Sequence, residues 1–334
     1  MQELSTPAIA ARLVGPGETV DSLLSAAHVI RLRQCGPHIH VFGILGLSNY
    51  CRLACTYCGL RSQRSDLERY RLNSAAAVEA VREFNSSAPR KLDAVVLQSG
   101  EDNLLSVETV CEIITAVTRD LNVPVLVFPG ERNLVECESM VRAGCTGFIV
   151  KFETSNVRLY EELRPRLTFE ARISRIRELA ALAGFVGTGN IVGLPGQSIS
   201  DIAEDVDLAR RLDPQLFVSS PFLPVPGTPL EGLAECSDTL LQRVVAMARI
   251  TLEDPIIALS PASYTLDRQL LTTLLLGGAN AIMVQITPMP ERSKYQILPR
   301  RVELSSDDLW GVVRELENDP NPLNEVRAAK GDNG

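Results

Sequence analysis

The feature that most constrains the fold is a regular alternation of short apolar runs with longer amphipathic stretches. Eight runs rich in Val, Ile, Leu and Phe recur along the chain, and helical patterns lie between them. Such alternation is typical of βαβ units, in which helices join the neighbouring strands of a parallel sheet. We therefore predict eight strands, at 40–45, 93–98, 125–128, 147–152, 187–191, 216–221, 256–260 and 281–284.

The intervening patterns predict helices at 74–84, 107–120, 134–143, 169–183, 200–212, 239–252 and 267–277. Gly144 and Gly184 follow two of these helices and can take the left-handed conformation that ends a helix. Eight strands separated by helices predict a closed (β/α)8 barrel, and an open doubly wound sheet is the competing fold. We expect a single barrel over 37–300, a helical N-terminal extension over 1–36, and a C-terminal helix with a polar tail over 301–334.

Charge and hydropathy exclude several classes of partner. The 41 acidic and 33 basic residues give a net charge of −8, and they are scattered instead of forming a basic face. This pattern argues against nucleic acid as a ligand. No segment reaches the roughly 18 apolar residues needed to cross a bilayer, and the N-terminus lacks the pattern of a secretion signal. We expect a cytoplasmic protein that does not bind membranes.

The eight cysteines are unevenly spaced, and three of them, Cys51, Cys55 and Cys58, follow directly after the first predicted strand. Barrels of this class carry their chemistry at the carboxyl ends of the strands. Three thiolates in one loop can hold three corners of an iron–sulfur cubane, which leaves the fourth iron open to a ligand. The alternative is a zinc site, for which His38 or His40 could supply a fourth ligand. We interpret the other five cysteines as buried small hydrophobes.

The pattern Cys51-x-x-x-Cys55-x-Tyr57-Cys58 resembles the signature of the radical S-adenosylmethionine (SAM) superfamily. The resemblance implies a TIM-type barrel, with a [4Fe–4S] cluster held by the three cysteines and SAM bound at the open iron. Reductive cleavage of SAM would then give a 5'-deoxyadenosyl radical that removes a hydrogen atom from the substrate. In such enzymes the protein supplies orientation and excludes side reactions.

The same resemblance assigns the residues that would bind SAM. The loop after the second strand would bind the methionyl ammonium, Glu153 the ribose hydroxyls, Arg172 the SAM carboxylate, and Ile191 the adenine base. Simpler interpretations stay open: an acidic helix start for the loop, an ion pair with Lys151 for Glu153, and a surface helix position for Arg172. The complete set of expected cofactor-binding residues is Tyr57, Ser99, Gly100, Glu101, Asp102, Glu153, Arg172 and Ile191.

Over residues 41–295 the chain is similar to the HydE-type maturases of FeFe-hydrogenase, to methylornithine synthase and, more distantly, to biotin synthase. The similarity lies in segments such as Glu68-Arg69-Tyr70-Arg71-Leu72, Leu163-Arg164-Pro165 and Val192-Gly193-Leu194-Pro195-Gly196-Gln197. It implies that Lys151 and Tyr295 act on the substrate. Departures from the maturase pattern, at Leu126, Lys151, Phe152 and Leu298, leave a different substrate open.

The resemblance implies a HydE-like enzyme of hydrogenase maturation that acts on a small amino-acid-like or thiol-containing substrate. Its expected partners are that small molecule, an electron donor of the flavodoxin or ferredoxin type, and other maturation proteins. Three alternatives remain: a carbon-skeleton mutase like methylornithine synthase, a zinc-stabilised barrel scaffold without activity, and a barrel that binds SAM without turnover.

Overall fold

All eight predicted apolar runs form strands in the computed structural model, which describes residues 4–15, 19–264, 268–298 and 304–318. The strands are β1 (His40–Ser48), β2 (Ala94–Ser99), β3 (Val125–Val127), β4 (Gly147–Ile149), β5 (Val186–Val192), β6 (Leu216–Pro221), β7 (Ile256–Leu259) and β8 (Ala281–Gln285). Each pairs in parallel with its neighbour in sequence, and β8 pairs with β1. The barrel is closed, so the open doubly wound alternative was wrong.

The register of β1 places the cysteine segment. Phe42 pairs with Ala94 of β2, and His40 pairs with Ala281 of β8. The pairing of β1 with β2 is regular up to Gly46 and shifts before Ser48. Because all the strands run in one direction, the residues that follow β1 emerge at the same rim as those that follow the other strands.

The helices match the amphipathic stretches to within a few residues. They are α1 (Thr6–Val14), α2 (Val20–Cys35), α3 (Ser74–Ser87), α4 (Val107–Arg119), α5 (Leu134–Arg142), α6 (Val157–Leu163), α7 (Phe169–Ala183), α8 (Ile199–Leu212), α9 (Asp238–Leu252), α10 (Arg268–Leu276), α11 (Met289–Arg292) and α12 (Ser306–Asn318), with a 3-10 turn at Pro261–Tyr264. The short helices α6 and α11 were not predicted, because one or two turns carry too little periodicity.

Local signals explain where the longer helices begin and end. Asn133 and Ser198 each form a capping box at the start of α5 and α8, and the Thr168 hydroxyl accepts a hydrogen bond from the Ala171 N–H at the start of α7. Gly144 and Gly184 both have a positive φ, of 107° and 71°, as the sequence predicts. These caps satisfy backbone groups that a helix end otherwise leaves unpaired.

The apolar core has two layers, as a barrel requires. The inner layer fills the barrel with inward-pointing strand residues such as Phe42, Ile44, Leu126 and Met283. The outer layer lies between the strands and the helices and is larger. Among the parts of the chain that the structure describes, no helix is both long and apolar enough to cross a membrane.

The helices that precede and follow the barrel in the described part of the chain pack on it. In the N-terminal extension, α1 contacts α8 and α2 contacts α9. At the other end, α12 reaches the base of the barrel, where Glu317 accepts a hydrogen bond of 2.9 Å from the Ile39 N–H. The polar tail predicted after α12 lies outside the described residues.

Candidate active site

A cavity of about 470 Å³ opens at the rim formed by the carboxyl ends of the strands. All eight strands contribute at or just after their ends, through Cys51, Ser99, Phe128, Val150, Ile191, Ser220, Ser260 and Gln285. Volumes of this size are typical of sites for small ligands. The cavity is therefore the candidate active site.

The cysteine loop is held in place by two side chains from outside the motif. The Arg69 guanidinium donates hydrogen bonds to the carbonyl groups of Asn49, Leu60, Arg61 and Arg64. The buried Asn49 amide donates to the carbonyls of Glu68 and Lys294 and accepts from the Tyr70 N–H. These bonds fix the loop backbone on both sides of the three cysteines.

Cys51, Cys55 and Cys58 all line the cavity, so the structure brings the three predicted ligands together. Burial raises the pKa of each thiol above its ordinary value. The thiols are consequently protonated when no metal is bound, and a metal must displace those protons. The Glu101 N–H points to Cys51 Sγ at 3.4 Å, which favours the charged form of that sulfur.

The loop after β2 closes one side of the cavity. A Cβ on Gly100 would lie 2.2 Å from the Tyr50 carbonyl oxygen, so only glycine lets this loop approach the cysteine loop. Glu101 and Ser99 line the cavity, and the Glu101 carboxylate accepts the Glu131 N–H at 3.1 and 3.2 Å. Burial raises the pKa of Glu101, although the bond from Glu131 opposes this shift.

Glu153 lies beyond the end of β4, which stops at Ile149, earlier than predicted. Its φ of 65° is unusual for a glutamate, and it turns the side chain into the cavity. Its carboxylate accepts the Tyr57 hydroxyl at 3.1 Å and lies 3.4 Å from Lys151 Nζ. Lys151 and Glu153 both line the cavity, and the ion pair stated as the simpler interpretation is confirmed.

Two arginine side chains at the cavity wall contact the same carboxylate, that of Glu131. Arg172, on α7, donates to Glu131 Oε1 at 2.5 Å and to the Tyr160 hydroxyl at 3.0 Å. Arg164 lies 3.3 Å from the same Glu131 oxygen and 3.9 Å from Glu153 Oε1. Both arginines are buried and line the cavity, so the interpretation of Arg172 as a surface helix residue was wrong.

The segment after β5 forms another wall, with Ile191 facing the cavity. The Gln197 side chain accepts the Gly193 and Leu194 N–H groups and donates to the Ile191 carbonyl. Gln197 also donates to Asp205 of α8 at 3.1 Å. This network holds the glycine-containing turn, and it leaves the apolar Ile191 side chain available to a flat ligand.

The deeper part of the cavity combines an apolar lining with one chain of polar groups. Ile44, Phe128, Ile149, Val218 and Met283 supply the apolar surface. Lys151 Nζ donates to Ser220 Oγ at 3.1 Å, and Ser220 Oγ donates to Ser260 Oγ at 3.0 Å. Burial lowers the pKa of Lys151, while Glu153 opposes that shift.

Two residues named from the sequence do not line this cavity. Asp102 accepts hydrogen bonds from Ser48 Oγ at 2.6 Å and from Arg71 at 2.5 and 2.9 Å, and it faces away from the cysteines. Tyr295 is fully buried beside Tyr70, with a ring separation of 6.4 Å, and packs under Gly46. Both positions indicate roles in packing the rim.

The zinc alternative with His38 or His40 as a fourth ligand is wrong. His40 opens β1 and the cysteines follow its far end, so the two groups are separated by about 26 Å at the usual rise of a strand. Among the described residues that line the cavity, the three cysteines supply the only thiols, and no histidine joins them.

Arg164, Glu131, Arg69 and Asn49 are site residues that the sequence analysis missed as such. Arg164 and Arg69 lie in segments that carry the family resemblance, which is the one signal that could have identified them. Glu131 follows Pro129-Gly130 in a loop and has no local pattern of its own. Its position next to two arginines arises only from the packing of α7 against the loop after β3.

The residues present fit a cluster and SAM. Three thiols face one cavity, as a cluster with one open iron requires. Beside them, Glu153 Oε2 is buried, accepts no hydrogen bond and lies 3.4 Å from Lys151 Nζ, so it still has lone pairs for a ligand hydroxyl. Gly100 lets the loop after β2 lie directly against the cysteine loop, which places Glu101 at the same cavity.

Comparison with known proteins gives a consistent result. A sequence model of the Radical SAM superfamily matches residues 45–209. The chain is 33% identical over 285 residues to the [FeFe] hydrogenase maturase subunit HydE of Thermotoga maritima, covering 84% of this chain and 80% of the relative. It is 25% identical over 305 residues to the 3-methylornithine synthase of Methanosarcina barkeri, covering 90% and 84% of the two chains.

A solved structure supports the architecture. The crystal structure of methylornithine synthase (PylB) superposes with a TM-score of 0.82 at 23% identity, and the match covers 98% of this chain and 97% of that one. At this level of identity, the similarity shows a shared fold. The arrangement of strands and helices is therefore the same in both proteins.

Proposed function

The chain belongs to the radical SAM superfamily and is a radical SAM enzyme, and we propose that Cys51, Cys55 and Cys58 hold its [4Fe–4S] cluster. The observation that carries this proposal is that three thiols from one loop face a single cavity. When bound, the cluster and SAM supply a 5'-deoxyadenosyl radical for hydrogen abstraction. The contribution of this chain is to bind, orient and enclose the reactants.

Glu101, Glu153, Arg172 and Ile191 have the chemistry to orient SAM. Glu101 lines the cavity with a partly buried carboxylate that can pair with the methionyl ammonium, and its N–H lies 3.4 Å from Cys51 Sγ. Glu153 can accept ribose hydroxyls, since the contact of Oε2 with Lys151 Nζ at 3.4 Å leaves lone pairs on that oxygen. Arg172 can bind the SAM carboxylate while Glu131 holds its guanidinium in place. Ile191 supplies an apolar surface for the base, and Tyr57 and Ser99 complete this part of the cavity.

The remaining part of the cavity would receive a small substrate with one polar end. Lys151, Ser220 and Ser260 form a connected row of polar side chains next to an apolar surface. A cationic group with two hydroxyls suits a carboxylate or a similar anionic group, and the apolar surface suits a short carbon or sulfur chain. An amino-acid-like or thiol-containing molecule has this combination.

We infer a reaction like that of the HydE-type maturases of FeFe-hydrogenase as the leading candidate, because the 33% identity extends over 84% of the chain. In this proposal the partners are an electron donor of the flavodoxin or ferredoxin type and other maturation proteins. A direct test adds the reconstituted protein to a hydrogenase maturation mixture that lacks its HydE-type maturase. Recovery of hydrogenase activity supports the proposal, and a failure to recover it with active enzyme contradicts it.

The substrate class is tested by isotope transfer. The reconstituted enzyme is reduced in the presence of SAM and one deuterated amino acid or thiol at a time. Deuterium in 5'-deoxyadenosine identifies the hydrogen donor. Lys151→Met should lower this transfer while SAM cleavage continues, and Lys91→Met, which changes a lysine on the surface of the barrel, is the matched control. Equal transfer in both variants would remove Lys151 from the substrate site.

A carbon-skeleton mutase like 3-methylornithine synthase is the second candidate, supported by 25% identity over 90% of the chain. It predicts that the amino acid that gives up deuterium returns as a rearranged isomer, in which the label is retained or replaced by hydrogen from the 5'-deoxyadenosine methyl group. Mass spectrometry and NMR of the product therefore distinguish the two candidates. Release of 5'-deoxyadenosine also tests the remaining alternative, a barrel that binds SAM without turnover.

A further inference from the structure

A group of metal-ligand side chains lies at the base of the barrel, at the opposite end from the cavity. His38 precedes β1, His40 is its first residue, and Asp93 directly precedes β2. The ladder fixes them next to each other, because the Asp93 N–H donates to the Val41 carbonyl and Asp93 Oδ2 accepts the Val41 N–H at 2.8 Å. The chain has three histidines, and two of them are here.

The ligand atoms converge on one point. His38 Nε2 lies 3.0 Å and His40 Nδ1 lies 3.5 Å from the same atom, Asp93 Oδ1. One ligand atom from each residue lies within 4.8 Å of those of the other two. In a tetrahedral zinc site with bonds near 2.1 Å, ligand atoms lie about 3.4 Å apart. The observed separations bracket this value, so a metal ion needs only small side-chain movements.

The other nitrogen of His38 has the partner that a metal-bound imidazole usually has. His38 Nδ1 lies 3.3 Å from Glu317 Oε1 of α12. A carboxylate in this position accepts the Nδ1–H and leaves the Nε2 lone pair for a metal. That lone pair then faces an Asp93 oxygen at 3.0 Å, and two acceptors at this distance require a cation or a proton between them.

The charges around the group also favour a cation. Asp93 and Glu317 contribute two negative charges, and Arg90 contributes one positive charge. Arg90 donates to Glu317 at 3.0 Å and lies 3.5 Å from His38 Nδ1 and 3.8 Å from Asp93 Oδ2. The His38 and His40 side chains are 41% and 29% exposed, so an ion and a coordinating water can enter from solvent.

We propose that His38, His40 and Asp93 form a mononuclear site for Zn²⁺ at the base of the barrel, with Glu317 orienting His38. Imidazole and carboxylate ligands suit zinc, and three protein ligands leave one position for water. The site connects β1 and the entry to β2 with α12, so it stabilises the lower end of the barrel. It is independent of the cluster and of the proposed reaction.

The test uses the enzyme with its cluster loaded, so that iron occupies Cys51, Cys55 and Cys58. The protein is treated with a chelator and dialysed against Zn²⁺ without oxygen, and the metals are counted by mass spectrometry. We expect one zinc per chain in addition to the cluster iron. X-ray absorption at the zinc edge should show nitrogen and oxygen ligands near 2.0–2.1 Å and no sulfur.

The double variant His38→Ala, His40→Ala should bind no additional zinc. Glu317→Gln removes no direct ligand, and we expect it to weaken zinc binding about 10- to 100-fold. If the double variant does not fold, the zinc content of Glu317→Gln and His40→Gln is measured in its place. Cys111→Ser, which removes a partly exposed thiol elsewhere, is the matched control and should retain the zinc.

The proposal is overturned if the wild-type holoenzyme binds no additional zinc, which would make the group an ion-pair cluster only. Zinc that persists in the double variant, or sulfur at about 2.3 Å in the absorption spectrum, would also overturn it. Loss of SAM cleavage does not enter this readout. Failure of the proposed function and failure of the zinc site are therefore separate results.

Discussion

Cys55 is the most buried of the three cysteines in the loop after β1, with 8% of its surface exposed. Cys55→Ala removes one proposed iron ligand and leaves the fold intact, since deleting one small group costs on the order of 1 kcal/mol of unfolding free energy. We expect loss of SAM cleavage, measured as 5'-deoxyadenosine after reduction. Cys111→Ala is the control, and it should retain activity. Unchanged 5'-deoxyadenosine production by Cys55→Ala would refute the ligand assignment.

Asp102 and Glu131 show how one residue's role depends on its neighbours. Asp102 has the sequence context of a SAM-binding loop, but its carboxylate is used by Arg71 and Ser48. Burial opposes its ionisation, yet these hydrogen bonds lower the pKa of Asp102 overall. Glu131 has no motif, but it holds the two arginines at the cavity wall. The sequence context of these two residues therefore did not show which carboxylate contacts the side chains that line the cavity.

At the scale of elements, the approach of the β2 loop to the cysteine loop depends on Gly100. Gly100→Ala would place a Cβ 2.2 Å from the Tyr50 carbonyl and 2.8 Å from Cys51 Cβ, so the backbone must move. We expect a lower iron content after reconstitution, measured by iron and sulfide analysis. Gly311→Ala in α12 is the matched control, because its Cβ meets no atom within 4 Å. A normal iron content in Gly100→Ala would show that the two loops can separate without loss of the cluster.

Asp205 joins α8 to two loops at the rim. Its carboxylate accepts hydrogen bonds from the Ser155 N–H and hydroxyl, Asn190 and Gln197. Burial raises the pKa of Asp205 to about 7, although the bonds from Ser155 and Asn190 oppose the shift. Between the ordinary aspartate pKa and 7, the folded state therefore binds a proton that the unfolded state has released. The contribution of Asp205 to stability is complete at low pH and decreases as pH rises through about 7.

The raised pKa of Asp205 predicts a measurable pH dependence of the free energy of unfolding. The free energy of unfolding should contain a term that decreases between pH 5 and pH 8, and Asp205→Asn should remove that term. The variant should be less stable at every pH, because the N–H groups of its amide would face the donors of Ser155, Asn190 and Gln197. The loss of unfolding free energy should be larger at pH 5 than at pH 8. Urea denaturation of both proteins across this range measures the effect. An equal difference at pH 5 and pH 8 would contradict the raised pKa.

At the scale of the whole molecule, the cavity is built by all eight strand ends. A ligand bound there holds together segments that separate on unfolding, and the unfolded chain cannot bind it. At a SAM concentration of 100 times Kd, linkage predicts about 2.7 kcal/mol of additional unfolding free energy. Anaerobic denaturation of the cluster-loaded protein with and without SAM measures this effect, and Cys55→Ala should show much less. No dependence on SAM concentration would show that the folded protein does not bind SAM.

The sequence by itself determined the architecture. The eight apolar runs became the eight strands and most amphipathic stretches became helices, because these patterns are local and repeat with the period of each element. The cysteine loop could also be located, since it directly follows β1 and strand ends meet at one rim. The ion pair of Lys151 with Glu153 was also predicted, because the two residues are only two positions apart, although β4 ends before them.

The tertiary structure decided which polar groups meet. It turned Asp102 towards Arg71, brought Arg164 to the cavity with Glu131 next to it, and gathered His38, His40 and Asp93 at the base. Contacts of this kind join residues that are far apart in sequence, and they depend on loop backbones such as Glu153 at a φ of 65°. No periodic pattern encodes a loop conformation or a distant ion pair. Only the packed barrel places these charges within reach of one another.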